Sequence, residues 1–370
     1  MKKEQSGIPS LSVEKAVEQL SAGYAAAILG GMSPKVIPSV MLWGPPGVGK
    51  SQAVRQVAKE IERSTGKTCH VTDVRLLLFN PIDLRGIPTA NADKTLAVWL
   101  RPKIFQMDES DRVVNILFLD EISAAPQSVQ AAAYQITLDR VVGEHRLPDN
   151  CIVIAAGNRV TDRSVAFKMP RALANRLCHM EIVGSHDSWM RWAVHGGIHE
   201  KVLGFLSFRA DYLMENEPGN DDLAFATPRS WEMVSNLLHA TGGDAQKIYP
   251  MIAGCVGTGI AVEFCAYCKV YASLPSMKDV FDGRYAVMPK SPDALYALIS
   301  SMTAYAKEHK DELSRIGNSI VFAKQMPPDF SAVLLKNYMA IEKGYKEKLM
   351  ALPDFAAWLR SKGSLLNGTV

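Results

Sequence analysis

The run Gly44-Pro45-Pro46-Gly47-Val48-Gly49-Lys50-Ser51 leaves few folds open to this chain. It follows a short apolar stretch, Val40 to Trp43, and leads into residues with helical patterning, Gln52 to Arg63. A strand that enters a glycine-rich turn and leaves it as a helix is the setting of a phosphate-binding loop. The glycines let backbone N–H groups converge on phosphate, the lysine amine reaches the β and γ oxygens, and the neighbouring hydroxyl binds Mg²⁺. The positive end of the helix dipole favours the same anion. The segment points to a nucleoside triphosphatase, with Gly44, Pro45, Pro46, Gly47, Val48, Gly49, Lys50, Ser51 and Gln52 as the binding set.

A chain of 370 residues has room for two domains or three, each with its own core. A formal net charge of +3 with no long Lys/Arg run does not support a nucleic-acid partner, which ordinarily requires a clustered basic face. The basic start, Met1-Lys2-Lys3, leads into no apolar segment, so no secretory signal is expected. The longest apolar stretch, Tyr249 to Cys268, is interrupted by Pro250, glycines and Glu263, and reads as a buried helix pair rather than a membrane span. Six scattered cysteines suit reduced thiols in a cytoplasm. Cys265 and Cys268 have C-x-x-C spacing, but no second pair or paired histidines accompany them, so they read as buried helix residues.

Ser12 is placed to cap a helix from Val13 to about Leu29, closed by Gly30-Gly31. Cys69 to Arg75 reads as a strand. Residues 76 to about 112 are irregular, with turn chemistry at Pro81 to Gly86 and a short alternating run at Val98 to Pro102; a loop of that length inside a compact domain is usually functional. Val113 to Leu119 is nearly all apolar and ends in Asp120-Glu121, the pattern of a strand buried on both faces of a parallel sheet. A helix is expected over Gln127 to Leu138, a hairpin turning at Gly143 within about 138–149, and further strands at Cys151 to Asn158 and His179 to Val183. Strands alternating with helices give a doubly wound α/β domain over about 1–184. Residues 185 to 370 read as an α-helical second half, with apolar residues at helical spacing through Ser188 to Met214, Thr227 to Ala240, Ser291 to Lys307 and Ser331 to Met350, and turns at Glu217-Pro218-Gly219, Asp282-Gly283 and Met326-Pro327-Pro328.

Phosphoryl transfer to water needs a held nucleotide, Mg²⁺, a group to orient the water and a cation for the charge that develops on the γ-phosphate. Asp120 and Ser51 are the candidate Mg²⁺ residues, and Glu121 the candidate to polarise the water. Asn158, at a strand end, is placed to fix that water or the γ-phosphate. Arg171 and Arg176 precede the last strand. Arg229 opens a helix, where a cation opposes the dipole and an anionic partner is the natural compensation.

These residues resemble a MoxR-type AAA+ ATPase of the clade with an insert around its second helix, over roughly residues 40 to 235. Gly44 to Ser51 matches its Walker A motif, Ile116 to Glu121 its Walker B, Asn158 its sensor 1, and Thr227-Pro228-Arg229 its sensor 2. Met169 to Leu177 is similar to the family segment ending in an arginine finger, which makes Arg176 the candidate finger, with Arg171 a second cation nearby. Pro81 to Gly86 looks like the start of the insert, and Val141 to Leu147 like the hairpin before sensor 1. The family's adenine-side Gly-Gln motif is not evident, and Asn175 stands where an acid often precedes the finger. The resemblance implies a P-loop NTPase fold with a C-terminal α-helical lid. It also implies ATP hydrolysis to ADP with Mg²⁺, and a homo-oligomeric ring, commonly a hexamer. The implied partner is a protein client or a von Willebrand factor A domain protein, acted on in a chaperone-like way. Two other functions use the same core: a nucleic-acid motor, for which Trp99, Arg101 and Lys103 are the available residues, and a scaffold that binds nucleotide with little turnover.

Overall fold

The computed structural model of the protein describes residues 7–159, 169, 174–215, 222–284, 286–342, 344–363 and 365, and forms two compact units, 1–185 and 186–370. In the first unit the described strands are β1 (Ser10–Leu11), β2 (Val40–Trp43), β3 (Thr68–Arg75), β4 (Ile87–Ala90), β5 (Ala97–Leu100), β6 (Val113–Asp120), β7 (Val141–Val142), β8 (His145–Arg146), β9 (Cys151–Gly157) and β10 (Cys178–Ile182). With them run the helices α1 (Val13–Leu29), α2 (Lys50–Thr65), α3 (Pro81–Arg85) and α4 (Gln127–Asp139).

Six strands make one parallel sheet in the order β1-β10-β2-β9-β6-β3. The chain leaves β2 for β3 at one edge, works back through β6 and β9, and crosses to β10 beyond β2. In an open parallel sheet such a reversal leaves a crevice outside the carboxyl ends of the strands, where ligands bind. Trp43 lies opposite Gly157, and Leu119 opposite Ala155. Gly44, Asp120 and Asn158 are therefore delivered to the same end of the sheet.

Strands β6 and β9 are buried on both faces, which is why their sequences are nearly continuous apolar runs. One face packs on α4 through Met41, Leu117, Leu119, Val153 and Ala155. By alternation Val40, Leu42, Ile116, Phe118 and Ile154 occupy the other, all buried, with α2 against the strands and α1 against α2. The one polar break in β6, Asn115, is 3% exposed. Its Nδ2 donates to Asp108 O (2.7 Å) and Asn150 Oδ1 (2.9 Å), avoiding the roughly 1–3 kcal/mol that an unpaired buried amide would cost.

Two elements depart from the sequence reading. Strand β1, whose Ser10 donates to Glu181 Oε2 at 2.7 Å, is two residues long and so carries no alternation to recognise. Helix α3 lies in the stretch read as irregular. Pro81 presets its first turn, and the Asn80 N–H donates to Asp83 Oδ2 at 2.8 Å in a capping box. Beyond α3, β4 and β5 pair antiparallel with Ile87 opposite Leu100, and Asn91 Oδ1 closes their turn by accepting the Thr95 and Leu96 N–H groups.

The second unit shows only helices among its described residues: α5 (His186–His195), α6 (Glu200–Phe208), α7 (Pro228–Ala240), α8 (Tyr249–Val256), α9 (Thr258–Val270), α10 (Met277–Phe281), α11 (Pro292–Glu308), α12 (Leu313–Ala323), α13 (Pro328–Met339), α14 (Tyr345–Met350) and α15 (Pro353–Lys362), with short 3-10 turns between. One apolar cluster gathers around Trp231, Phe205 and Phe264. A second forms from Phe281, Tyr338, Tyr345 and Phe355. Helix α11 packs on α6 and so joins the two. The apolar stretch from Tyr249 is the helix pair α8 and α9, split at Gly257. Cys265 and Cys268 are buried on α9, and burial pushes the Cys268 thiol up to about 12. The Glu217–Gly219 turn lies outside the described residues. No helix among the described residues is long and apolar enough to cross a membrane.

Candidate active site

The glycine-rich loop ends at Gly49, whose φ of +106° an L side chain would adopt only with strain, and α2 begins at Lys50. Lys50 is 8% exposed. Its Nζ donates to Gly44 O (2.5 Å), Pro45 O (3.0 Å) and Asn158 Oδ1 (2.8 Å), because a charge that deep needs partners. Those bonds join the loop after β2 to the residue after β9. Ser51, next along, donates to Asp120 Oδ2 at 2.8 Å and so joins α2 to the end of β6. Gln52 follows in the same turn, half-buried.

A hydroxyl and a carboxylate in contact are hard oxygen donors, the kind Mg²⁺ takes beside retained waters and phosphate. The first-turn N–H groups of α2 have no partners inside the helix, and they carry the positive end of its dipole. The donor set therefore fits a magnesium nucleotide.

Glu121 leaves β6 at φ +59°, a left-handed conformation costing about 1–3 kcal/mol in a non-glycine residue. The bend is anchored from several directions. The Glu121 N–H donates to Asp120 Oδ1 (2.9 Å), its carbonyl accepts from Ala124 and Ala125, and the Ile122 N–H donates to Ala156 O (3.0 Å). A carboxylate is thereby turned out of the strand direction immediately after the Mg²⁺ candidate.

Two residues that the sequence reading missed hold the far side. The Asn158 N–H donates to Ser123 Oγ at 2.8 Å, and Ser123 is 3% exposed. A Cβ on Gly157 would fall 2.8 Å from both Ser123 Oγ and Met41 Cε, so only glycine lets the strand end this close. Arg159 donates Nη1 to Glu181 Oε1 and so ties the exit of β9 to β10. Neither shows a spacing signature, since each matters through a partner distant in sequence.

Phosphate loop, acid pair at a buried strand's end and asparagine after the next strand are thus gathered at one end of one parallel sheet. Residues 40–182, from the first residue of β2 to the last of β10, match the model of the ATPase family associated with various cellular activities (AAA). The chain carries an AAA-family ATPase domain. ATPase family gene 2 protein homolog B of Rattus norvegicus is 28% identical over 190 residues, 48% of this chain and 22% of that protein. Its Mus musculus counterpart is 32% identical over 158 residues, 40% and 18% respectively. The chain spans about a fifth of the length of these curated relatives, which are 22% and 18% covered. Among solved structures, a RuvB mutant of Thermotoga maritima aligns over 79% of this chain and 83% of that one at 16% identity and a TM-score of 0.35, too loose a likeness to carry an argument.

The AAA domain gathers Lys50, Ser51, Asp120, Glu121 and Asn158. Arg176 stands apart from them, exposed in the turn before β10, with no hydrogen bond or ion pair to a described residue. Arg171 lies outside the described residues. Arg229 belongs to the second unit, where it is exposed in the first turn of α7. Thr227 caps that helix, its Oγ1 accepting from the Ser230 N–H (3.1 Å) while Ser230 Oγ accepts from the Thr227 N–H (2.8 Å).

Proposed function

We propose that this chain is a Mg²⁺-dependent ATPase of the MoxR type, working as a homo-oligomeric ring, commonly of six, that remodels a partner protein. The observation that carries the reading is the paired bridging at one sheet end, Ser51 to Asp120 and Lys50 to Asn158. Those contacts join, at one end of one sheet, the side chains that this reading uses for phosphate, metal and water. Lys50 and the loop N–H groups grip the β and γ phosphates, with Pro45, Pro46, Gly47 and Val48 shaping the loop. Mg²⁺, held by Ser51 and Asp120, would spread the charge of those phosphates. Glu121 takes a proton from the attacking water, and Asn158 orients it. Arg176 then serves the γ-phosphate of the neighbouring subunit; its exposed place suits a group used by another copy. Arg229 is a second cation for the same phosphate, by resemblance to sensor 2.

A protein rather than a nucleic acid is the favoured client. Exposed apolar side chains are concentrated in and beside the insert, at Leu77, Leu78, Ile82, Ile87, Leu96 and Leu100. Such clustering marks surfaces that meet proteins. Trp99, the aromatic a strand-tracking groove would present, is instead half-buried, with its carbonyl accepting from His145 Nε2 at 2.8 Å. A von Willebrand factor A domain partner follows from the family resemblance alone, and a cytoplasmic setting from six scattered cysteines read as reduced thiols.

Glu121→Gln tests the reading. The variant retains ATP and holds the ring together while turnover falls by about 100-fold or more, the scale of a lost general base. A monomeric, fully active Glu121→Gln protein contradicts it, and slow wild-type turnover unchanged by the substitution favours the scaffold.

A further inference from the structure

We propose that His179 is a positioning residue that ties the phosphate loop to the turn bearing Arg176. The grip on nucleotide in one pocket then governs the guanidinium offered to the next. This rests on the reading of Arg176 as a group that acts on a neighbouring subunit.

Strands β2 and β10 are paired neighbours, and Trp43, the last residue of β2, sits directly before Gly44 of the loop. Glu181 is the partner of Trp43 across the ladder, and His179 lies two residues back on the same face. The Trp43 and His179 rings lie edge to edge and nearly coplanar, with centroids 6.1 Å apart and planes 18° apart. Trp43 Nε1 donates to His179 Nδ1 at 2.9 Å. An indole nitrogen is a donor only, so Nδ1 carries no proton and the imidazole proton sits on Nε2. Nε2 lies 2.7 Å from Ala174 O and donates to it. The same carbonyl accepts the Leu177 N–H at 3.3 Å, closing the turn that contains Arg176.

The path runs from Gly44 through Trp43, His179 and Ala174 to Arg176. It is braced at the other end of β10, where Gly44 packs so tightly that a Cβ there would lie 2.5 Å from Ile182 O. On the nucleotide side, Gly44 O accepts from Lys50 Nζ at 2.5 Å. When Lys50 is drawn toward phosphate, Gly44 loses that restraint, and the strand residue next to it is the one bonded to His179. Only a side chain with an acceptor at one end and a donor at the other can hold both Trp43 and Ala174. Neutral histidine does so, and glutamine comes nearest among the rest.

His179→Phe keeps an aromatic ring and removes both hydrogen bonds; His179→Gln keeps one acceptor and one donor. Steady-state ATP turnover, nucleotide affinity and melting temperature are measured on each, and on Arg176→Ala alone and combined with His179→Phe. The expected result is a kcat about tenfold lower for His179→Phe, the scale of a misplaced catalytic group, with nucleotide affinity unchanged and most of the rate restored in His179→Gln. The combined variant should be no slower than Arg176→Ala alone, because His179 acts through that arginine. Should His179→Phe melt early, Trp43→Phe, which removes the indole donor along with one ring and leaves the His179 bond to Ala174, is held to the same outcomes. A wild-type kcat in the folded variant, or losses that multiply in the combined one, overturns the inference. Arg176→Ala at full turnover would remove the trans-acting arginine and this inference with it. A slow Arg176→Ala beside a full-speed His179→Phe removes this inference alone.

Discussion

Lys50 and Arg176 are both cations proposed to meet the phosphate tail of ATP, and the fold keeps them in opposite ways. Lys50 is 8% exposed and held by Gly44, Pro45 and Asn158. Arg176 is exposed in a turn and bonds to no described residue. A group that serves its own pocket can be preorganised by its own subunit's strands. One that serves a neighbour's pocket must stay unpaired at the surface, with only its backbone positioned. On the proposed reading, the loop side of the site is complete within one subunit and the charge-neutralising side comes from the next.

The largest expected effect breaks the complete half. Lys50→Ala removes the buried cation and abolishes nucleotide binding, lowering apparent affinity by about 100-fold or more, as loss of a desolvated charge contact does. Calorimetric titration with ATP checks it, and near-normal affinity would mean that the loop is not the phosphate site. A smaller effect probes how finely that half is tuned. Gly157→Ala forces a methyl into the space of Ser123 and Met41 and displaces Asn158. Turnover should fall about tenfold with ATP affinity held, since a small misplacement costs rate before binding. Equal activity would mean that Asn158 takes no part.

The smallest effect contrasts the two units by pH. His199 in the second unit has its pKa lowered to about 4 by burial, then by the neighbouring His239 and Lys201 charges. Between about 4 and 6.5 the unfolded chain binds a proton there that the folded chain refuses, so this histidine's linkage contribution is intact above 6.5 and stability declines as pH falls through that window. His199→Asn, which can still cap α6, should flatten the decline in melting temperature measured from pH 7 to 4. An unaltered slope would place the linkage elsewhere.

How far the sequence was legible follows from how local each cause is. The loop could be read because its glycines and Lys50-Ser51 act on backbone and ligand within a few residues of themselves. Strands β6 and β9 could be read because burial on both faces leaves nearly continuous apolar runs. Ser123 could not be read, since its role exists only once the sheet brings Asn158, 35 positions on, to its hydroxyl. The same holds for Arg159 with Glu181, and for β1, which exists by pairing with β10. Helix α3 depended on Asn80 and Asp83 forming a capping box whose residue types differ from the usual Ser/Thr and Glu pair. In the second unit, helical spacing was visible over Ser188 to Met214, Thr227 to Ala240, Ser291 to Lys307 and Ser331 to Met350 but not over α10, α12 or α15, and the division into two apolar clusters depends on contacts between distant helices such as α6 and α11.

The central claim, that one copy grips the nucleotide and the next neutralises it, is tested most directly by mixing two inactive proteins. Lys50→Ala subunits have no working pocket but keep Arg176, and Arg176→Ala subunits have the reverse. In a ring assembled from equal amounts, about a quarter of interfaces pair an intact pocket with an intact arginine, so ATP turnover should reappear at roughly that fraction of the wild-type rate. Turnover no higher than the sum of the separate variants, in rings shown by native mass measurement to contain both, would contradict it.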